Sequence, residues 1–151
     1  NIAKEIIDTF APTGTILDPS KGLGAFYDQY PDHCEKDWCE ITEGRDFFDF
    51  TRPVDWIITN PPYSIFNEFM KHSFEIADNV VFLIPQNKQY SSHIRLRMIR
   101  EYGGEMKRIQ FTADARHFGF PFGFPLAACH WQRGYDGPLT IINSDSKGEL
   151  I

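Results

Sequence analysis

The chain has 151 residues, 42% of them hydrophobic, and a formal net charge of −6 at pH 7. That is apolar material for one domain with one core, and the acidic balance excludes a nucleic-acid grip spread over the whole surface. No apolar run reaches membrane-spanning length and the beginning lacks signal-peptide character, so a cytoplasmic chain with no membrane partner is expected.

The three cysteines, Cys34, Cys39 and Cys129, are a sparse and odd set, which suits a reducing compartment better than a disulfide scaffold. His33-Cys34 with Cys39, and Cys129-His130, match no standard zinc spacing, so no metal is expected. Charge is uneven: residues 1–80 hold 6 Lys+Arg against 15 Asp+Glu, and residues 81–151 hold 9 against 6. The basic part includes Arg95, Arg97, Arg100, Lys107, Arg108 and Arg116, either a substrate-facing group or ordinary solvated helix charge.

In chain order, Ile2, Ala3, Ile6, Ile7 and Phe10 fall at helical spacing, and Pro12 and Gly14 end that helix. T-I-L-D-P-S, Thr15 to Ser20, reads as a short buried strand, followed by Gly22, Gly24 and the opening of a helix that Pro31 stops. A second strand is expected over Asp37 to Ile41, a short third near Asp46 to Phe50 and a fourth over Val54 to Thr59. A helix at about Ile65 to Ala77 presents Phe66, Phe69, Met70 and Phe74. The fifth strand is V-V-F-L-I-P, Val80 to Pro85. A helix over Ser92 to Tyr102 is closed by Gly103-Gly104. Then come the segment Met106 to Phe111, a glycine/phenylalanine loop from His117 to Phe124 and a strand from Leu126 to Gln132, and Pro138 to Asn143 can form one more strand. The alternation predicts an α/β fold, a mostly parallel sheet flanked by helices with antiparallel strands at the C-terminal end. Nothing splits the chain, so residues 1–151 read as a single domain. Because it starts at Asn1 rather than methionine, a trimmed N-terminus is expected.

Two stretches carry chemistry. The first, Asp18-Pro19-Ser20-Lys21-Gly22-Leu23-Gly24, puts an acid and two close glycines after the first strand, where open α/β sheets bind ligands. A lone G-x-G is weak and fits a plain strand-to-helix turn equally. The third glycine of a dinucleotide fingerprint is missing, and Asp18 would repel a diphosphate, which counts against a nucleotide-dependent oxidoreductase. A methionine-derived sulfonium cofactor, with a cationic amino group and no phosphate, suits this turn. Glu40 can accept from ribose hydroxyls, unless it is an exposed edge carboxylate. Asp46 can take a proton from an adenine amino group, and Phe47 can lie on the ring, unless it is core.

The second stretch is Asn60-Pro61-Pro62-Tyr63, closing the strand D-W-I-I-T. Two prolines fix φ and stiffen the backbone. The amide oxygen of Asn60 and the carbonyl of Pro61 can then act as two acceptors beside the Tyr63 ring. Such a pair favours the pyramidal, charge-bearing form of a planar –NH2 under attack without needing a strong base.

D-P-S-K-G-L-G-A-F, a spaced acid, G-R-D-F and T-N-P-P-Y-S together resemble the class I S-adenosylmethionine-dependent amino-methyltransferases, most closely DNA adenine-N6 methyltransferases, small phage-type ones included. The resemblance implies a Rossmann-like class I methyltransferase fold and S-adenosyl-L-methionine as cofactor. It implies that Asp18, Pro19, Ser20, Gly22 and Gly24 border the methionyl part, Glu40 the ribose, and Asp46 with Phe47 the adenine, and that Asn60, Pro61, Pro62 and Tyr63 hold the target amine. The initial I-A-K-E-I-I resembles the helix that covers the methionine end. Lys21 departs from the small residue usual there.

N6 of adenine in DNA is the expected target, with the base rotated out of the stack onto Tyr63 and Phe118, Phe120, Phe122 and Phe124 closing over it or merely anchoring their loop. RNA adenine and a protein glutamine amide share the tetrapeptide and stay open. N4 of cytosine is disfavoured by Asn60. There is no room for a separate target-recognition domain, so a partner or a missing segment is expected to supply sequence recognition. A silent binding or scaffold module is the rival class.

Overall fold

The computed structural model describes residues 1–85, 87–88, 91–103, 107–114 and 125–143. Helix α1, Ile2–Phe10, buries Ala3, Ile6, Ile7 and Phe10 along one stripe. The Asn1 side chain accepts the Lys4 amide at 3.2 Å as its N-cap. Strand β1, Thr15–Asp18, follows, and β2, Glu35–Trp38, pairs parallel to it. Strands β3, Val54–Thr59, and β4, Ala77–Pro85, continue the parallel array on the other side of β1. Helix α2, Phe66–Ile76, links those two, and α3, His93–Tyr102, leads to β5, Arg108–Asp114. Strand β6, Pro125–Gln132, is antiparallel to both β4 and β5, and β7, Thr140–Asn143, runs parallel to β5. The seven-stranded order is β2-β1-β3-β4-β6-β5-β7.

Both sheet faces are covered, which explains the unbroken apolar strands. Leu17, Ile57, Phe82 and Ile84 face α2 and α3 in one cluster; Ile16, Ile58, Val81 and Leu83 face α1 in the other. Phe74 stacks on Tyr102 at 4.2 Å between ring centres and meets Trp131 edge-on, locking α2 and α3 to β6. Arg133 donates to the carbonyls of Phe74 and Ala77 at 3.0 and 2.9 Å, satisfying acceptors where α2 ends.

On the interior strand β6, His130 is fully buried. Its Nδ1 accepts from Arg108 Nε at 3.1 Å and its Nε2 meets Asn79 Oδ1 at 3.0 Å. Burial, with Arg108 and Lys107 nearby, pulls its pKa down to about 3, so the ring is neutral.

Three expectations are corrected. The segment Asp46 to Phe50 is not a strand but a single 3-10 turn over Phe47–Asp49, because Asp46 Oδ1 accepts the Phe48 amide at 2.9 Å and turns the backbone locally. The helix after the glycines is one 3-10 turn, Tyr27–Gln29. Strand β2 begins at Glu35 and ends at Trp38 rather than spanning Asp37 to Ile41. The phenylalanine loop from His117 to Phe124, and Arg116 before it, lie outside the described residues. Among the described residues no helix is long and apolar enough to cross a membrane, and no group of three or more His, Cys, Asp or Glu is placed to hold a metal ion.

Candidate functional site

The sheet order reverses between β1 and β3, since the chain goes outward to β2 and returns to the opposite side of β1. Beyond the carboxyl ends of those strands lies a cleft of about 390 Å³. It is lined by Asp18 and Asn60, by the turn of Ser20, Lys21 and Gly22, and by the start of α1 and Leu83.

Asp18 is only 1% exposed, yet among the described residues no cation is paired with it. Its Oδ1 accepts from Thr59 Oγ1 at 2.7 Å and from the Ser20 amide at 3.3 Å. Burial outweighs those bonds and raises its pKa from 3.8 to about 6. The parallel pairing of β1 and β3 sets Thr59 beside it, and Ser20 Oγ completes the bridge by donating to the Asn60 carbonyl at 2.9 Å. The Asn60 main chain is thus pinned, while its side chain forms no hydrogen bond among the described residues and lines the cleft.

Gly22 has φ +55, and a Cβ there would meet nothing within 4 Å; Gly24 has φ +94, and a Cβ there would press on the Asp28 carboxylate at 2.9 Å. Both turns therefore need glycine, but only Gly22 faces open space. The Gly22 amide donates to Glu40 Oε2 at 2.8 Å, and Glu40 Oε1 takes the Thr42 amide and hydroxyl at 3.2 and 2.9 Å. The Gly22 bond, first, and the Thr42 bonds hold the Glu40 carboxyl below its usual range. A carboxylate offers about four lone-pair sites, so one remains on Oε2. Lys21 Nζ is drawn 4.3 Å over the Trp38 ring and 3.6 Å from Glu43, which keeps its charge partnered at the rim.

Pro61 is buried, and every described peptide bond is trans, the prolyl bonds included. Tyr63 is half-buried; its hydroxyl donates to the Leu83 carbonyl at 3.3 Å, and burial pushes its pKa up to about 12. Of the expected site residues, Asp18, Ser20, Gly22 and Asn60 line the cleft, whereas Pro19, Gly24, Glu40, Asp46, Phe47, Pro61, Pro62 and Tyr63 do not. Phe47 is 4% exposed and packs against Phe69 and His72 at 4.7 and 4.6 Å, as core, whereas Phe48 beside it is 40% exposed. Sequence reasoning missed Thr59, Leu83 and Phe26. Thr59 had a signal: it is the one hydroxyl in the strand that must lie next to Asp18, and it stands at that strand's carboxyl end.

No protein-family model matches this sequence, and no curated protein sequence matches it. Solved structures do. A Listeria monocytogenes protein described as a class I S-adenosylmethionine-dependent methyltransferase aligns with TM-score 0.65 at 11% identity, over 98% of this chain and 64% of that one. The methyltransferase subunit of a Streptococcus thermophilus type I restriction-modification system aligns with TM-score 0.66 at 12% identity, over 94% of this chain and 45% of that one. The fold is that of the class I methyltransferases. A Pyrococcus horikoshii protein described as an RNA methyltransferase aligns with TM-score 0.60 at 12% identity, over 87% of this chain and 81% of that one. This chain spans less than two thirds of the first two neighbours.

Proposed function

We propose that this chain is an S-adenosylmethionine-dependent N-methyltransferase acting on an exocyclic amine, N6 of adenine in DNA. One observation carries the reading. An unbonded Asn60 amide, on a backbone pinned by Ser20, opens into the same cleft as the buried, cation-free carboxylate of Asp18. The pairing suits a ligand with a positive end at Asp18 and a planar –NH2 at Asn60.

The residues present fit S-adenosylmethionine. Its amino group would meet Asp18, whose burial cost an ammonium partner relieves. Gly22 leaves the backbone open for close approach. Glu40, with its one remaining lone pair, accepts one ribose hydroxyl; a second requires Thr42 to yield. The Asp46 backbone turn and the exposed Phe48 ring lie one step further along the chain and would border the base. When bound, the cofactor supplies an electrophilic methyl group on sulfonium.

Asn60 Oδ1 and the Pro61 carbonyl accept the two amine protons, which draws the nitrogen lone pair out of conjugation. Tyr63 offers its ring to the base. The nitrogen would bond to the methyl as the sulfonium C–S bond breaks to leave a neutral thioether, and one nitrogen proton would pass along these acceptors to water, so no separate strong base is required. The resemblance to a methyltransferase subunit of a type I restriction-modification system and to a protein described as an RNA methyltransferase supports a nucleic-acid amine.

The test is transfer of labelled methyl to duplex DNA, structured RNA and a glutamine-bearing protein side by side, with an Asn60→Ala control. Incorporation into DNA adenine that the control loses is the expected result. Binding of S-adenosylmethionine without transfer to any of the three would overturn the enzymatic reading in favour of a silent binding module.

A further inference from the structure

A pair of cations stands beside Tyr63 that nothing above uses. Lys88 Nζ lies 5.2 Å from the centre of the Tyr63 ring and 5.3 Å from that of Phe66. The Arg95 guanidinium lies 4.8 Å from the Phe66 ring. Among the described residues neither side chain has a carboxylate within ion-pair distance. Arg95 is nevertheless held firmly: Nε donates to Asn67 Oδ1 at 2.7 Å, and Nη1 donates to the Lys88 carbonyl at 2.9 Å and to Ser91 Oγ at 2.8 Å. Its Nη2 has no bond within the described residues, and neither has Lys88 Nζ.

Two like charges gathered without a counter-ion among the described residues repel one another and are partly stripped of water. Burial, and then the Arg95 charge, lowers the pKa of Lys88; burial lowers that of Arg95. Such a pair is costly unless an anion completes it. Its position says which anion. The ammonium stands over the face of Tyr63, the ring that would receive the target base, so a group arriving there from the same ligand meets Lys88 first. A base carries its phosphodiester within one sugar of its ring; a glutamine side chain carries no anion at all.

Resting on the methyltransferase reading of this site, we propose that Lys88 and Arg95 form the phosphate-binding pair of the substrate site, taking the phosphodiester adjoining the target nucleotide. This makes the substrate a nucleic acid rather than a protein amide. As the base stacks on Tyr63, the flexible Lys88 chain leaves the ring face for the phosphate, and Arg95, fixed from α3 onto Asn67 of α2, offers Nη2 to the same oxygens. Phosphodiester chemistry is common to DNA and RNA, and the two probes below distinguish them.

The experiment uses the whole chain, with Lys88→Gln, Lys88→Arg and Arg95→Gln. Binding of a fluorescent duplex DNA and a fluorescent hairpin RNA is followed by anisotropy over a range of salt, and binding of S-adenosylmethionine by calorimetry. Lys88→Gln is expected to weaken the nucleic-acid complex about fivefold and make the salt slope shallower by about 1. Lys88→Arg is expected to restore both. Methyl transfer by Lys88→Gln falls through KM with kcat held. Arg95→Gln also loosens the tie to α2, so Lys88→Gln is the deciding variant, and retained cofactor heat shows its fold intact. Unchanged affinity and slope in Lys88→Gln would overturn the proposal. So would methyl transfer by the wild type to the glutamine-bearing protein alone, a result that leaves the amine-transfer reading standing. The binding arm needs no turnover: a chain that transfers nothing but loses nucleic-acid affinity with Lys88→Gln keeps the phosphate pair and loses the enzyme.

Discussion

Asp18→Asn tests the electrostatic core of the site without any substrate. In the free protein the Asp18 carboxyl is 1% exposed and its pKa is raised from 3.8 to about 6, chiefly by burial. One pKa unit is worth about 1.4 kcal/mol, so ionising this group in the fold costs about 3 kcal/mol. The sign follows from the direction. A raised carboxyl pKa means that the folded state binds the proton more tightly, so its stability contribution is present below pH 3.8 and is lost as pH rises through 6. Asparagine does not titrate, and its amide oxygen can still accept from Thr59 and Ser20. Its –NH2 needs new partners in a buried place, at a cost of about 1 kcal/mol. The variant should therefore be more stable than the wild type at pH 8 by about 2 kcal/mol, roughly 4–8 °C in melting temperature for a chain of this size. Below pH 4 the gap should vanish and reverse by about 1 kcal/mol, because the amide cost does not titrate. Urea and thermal melts of both proteins from pH 3.5 to 8, without cofactor, give the difference directly and cancel every other titrating group. A difference flat in pH, or a less stable variant at pH 8, would refute the buried-charge argument. The same variant should lose the melting-temperature gain that S-adenosylmethionine gives the wild type, since a ligand stabilises only the state that binds it.

Asn60→Ala should leave cofactor affinity within about twofold and cut kcat by roughly 10²–10³, the cost of deleting one preorganised polar group at a reacting atom; steady-state kinetics with calorimetry check both. Tyr63→Phe removes only a 3.3 Å bond to the Leu83 carbonyl, so turnover should stay within about threefold and stability should fall by less than about 1 kcal/mol, whereas Tyr63→Ala should lose substrate engagement. Acid should destabilise the fold through His130. Its pKa is lowered to about 3, so its contribution is complete above pH 6.5 and disappears as pH falls toward 3; a His130→Gln protein should show a shallower acid limb in the same melts.

What the sequence made legible were the elements whose pattern is set by burial on both faces. Val54–Thr59 is bounded by the expected residues, and α2 and α3 lie within one residue of theirs. The meeting of Asp18 with Asn60 was readable too, because a parallel sheet brings the carboxyl ends of neighbouring strands together. Polar and local effects hid the rest. Strand β2 is Glu-Lys-Asp-Trp, an edge strand whose charged alternation carries no core signal, so its start was placed two residues late. Near Asp46 the aromatic-rich run Asp46 to Phe50 imitates a short strand, but the Asp46 side chain competes for the backbone and wins a turn. Phe47 could not be assigned to ligand or core without knowing that Phe69 and His72 of α2 would arrive against it.

The two acids at consecutive strand ends are driven in opposite directions, and this decides what each can bind. Asp18 is buried with only neutral donors among the described residues, so its carboxyl is raised. Glu40 is at the rim with three donors, so its carboxyl is lowered and nearly saturated. A group entering at Asp18 must bring positive charge to lower the free energy of the site. One entering at Glu40 must be a neutral donor, because only one lone pair is left and the glycine turn already leans on it. A diphosphate fails at the first position, and a second cation gains little at the second. On the proposed reading, environment alone turns two chemically equal side chains into a cation seat and a hydroxyl seat, in that order along the switch point of the sheet.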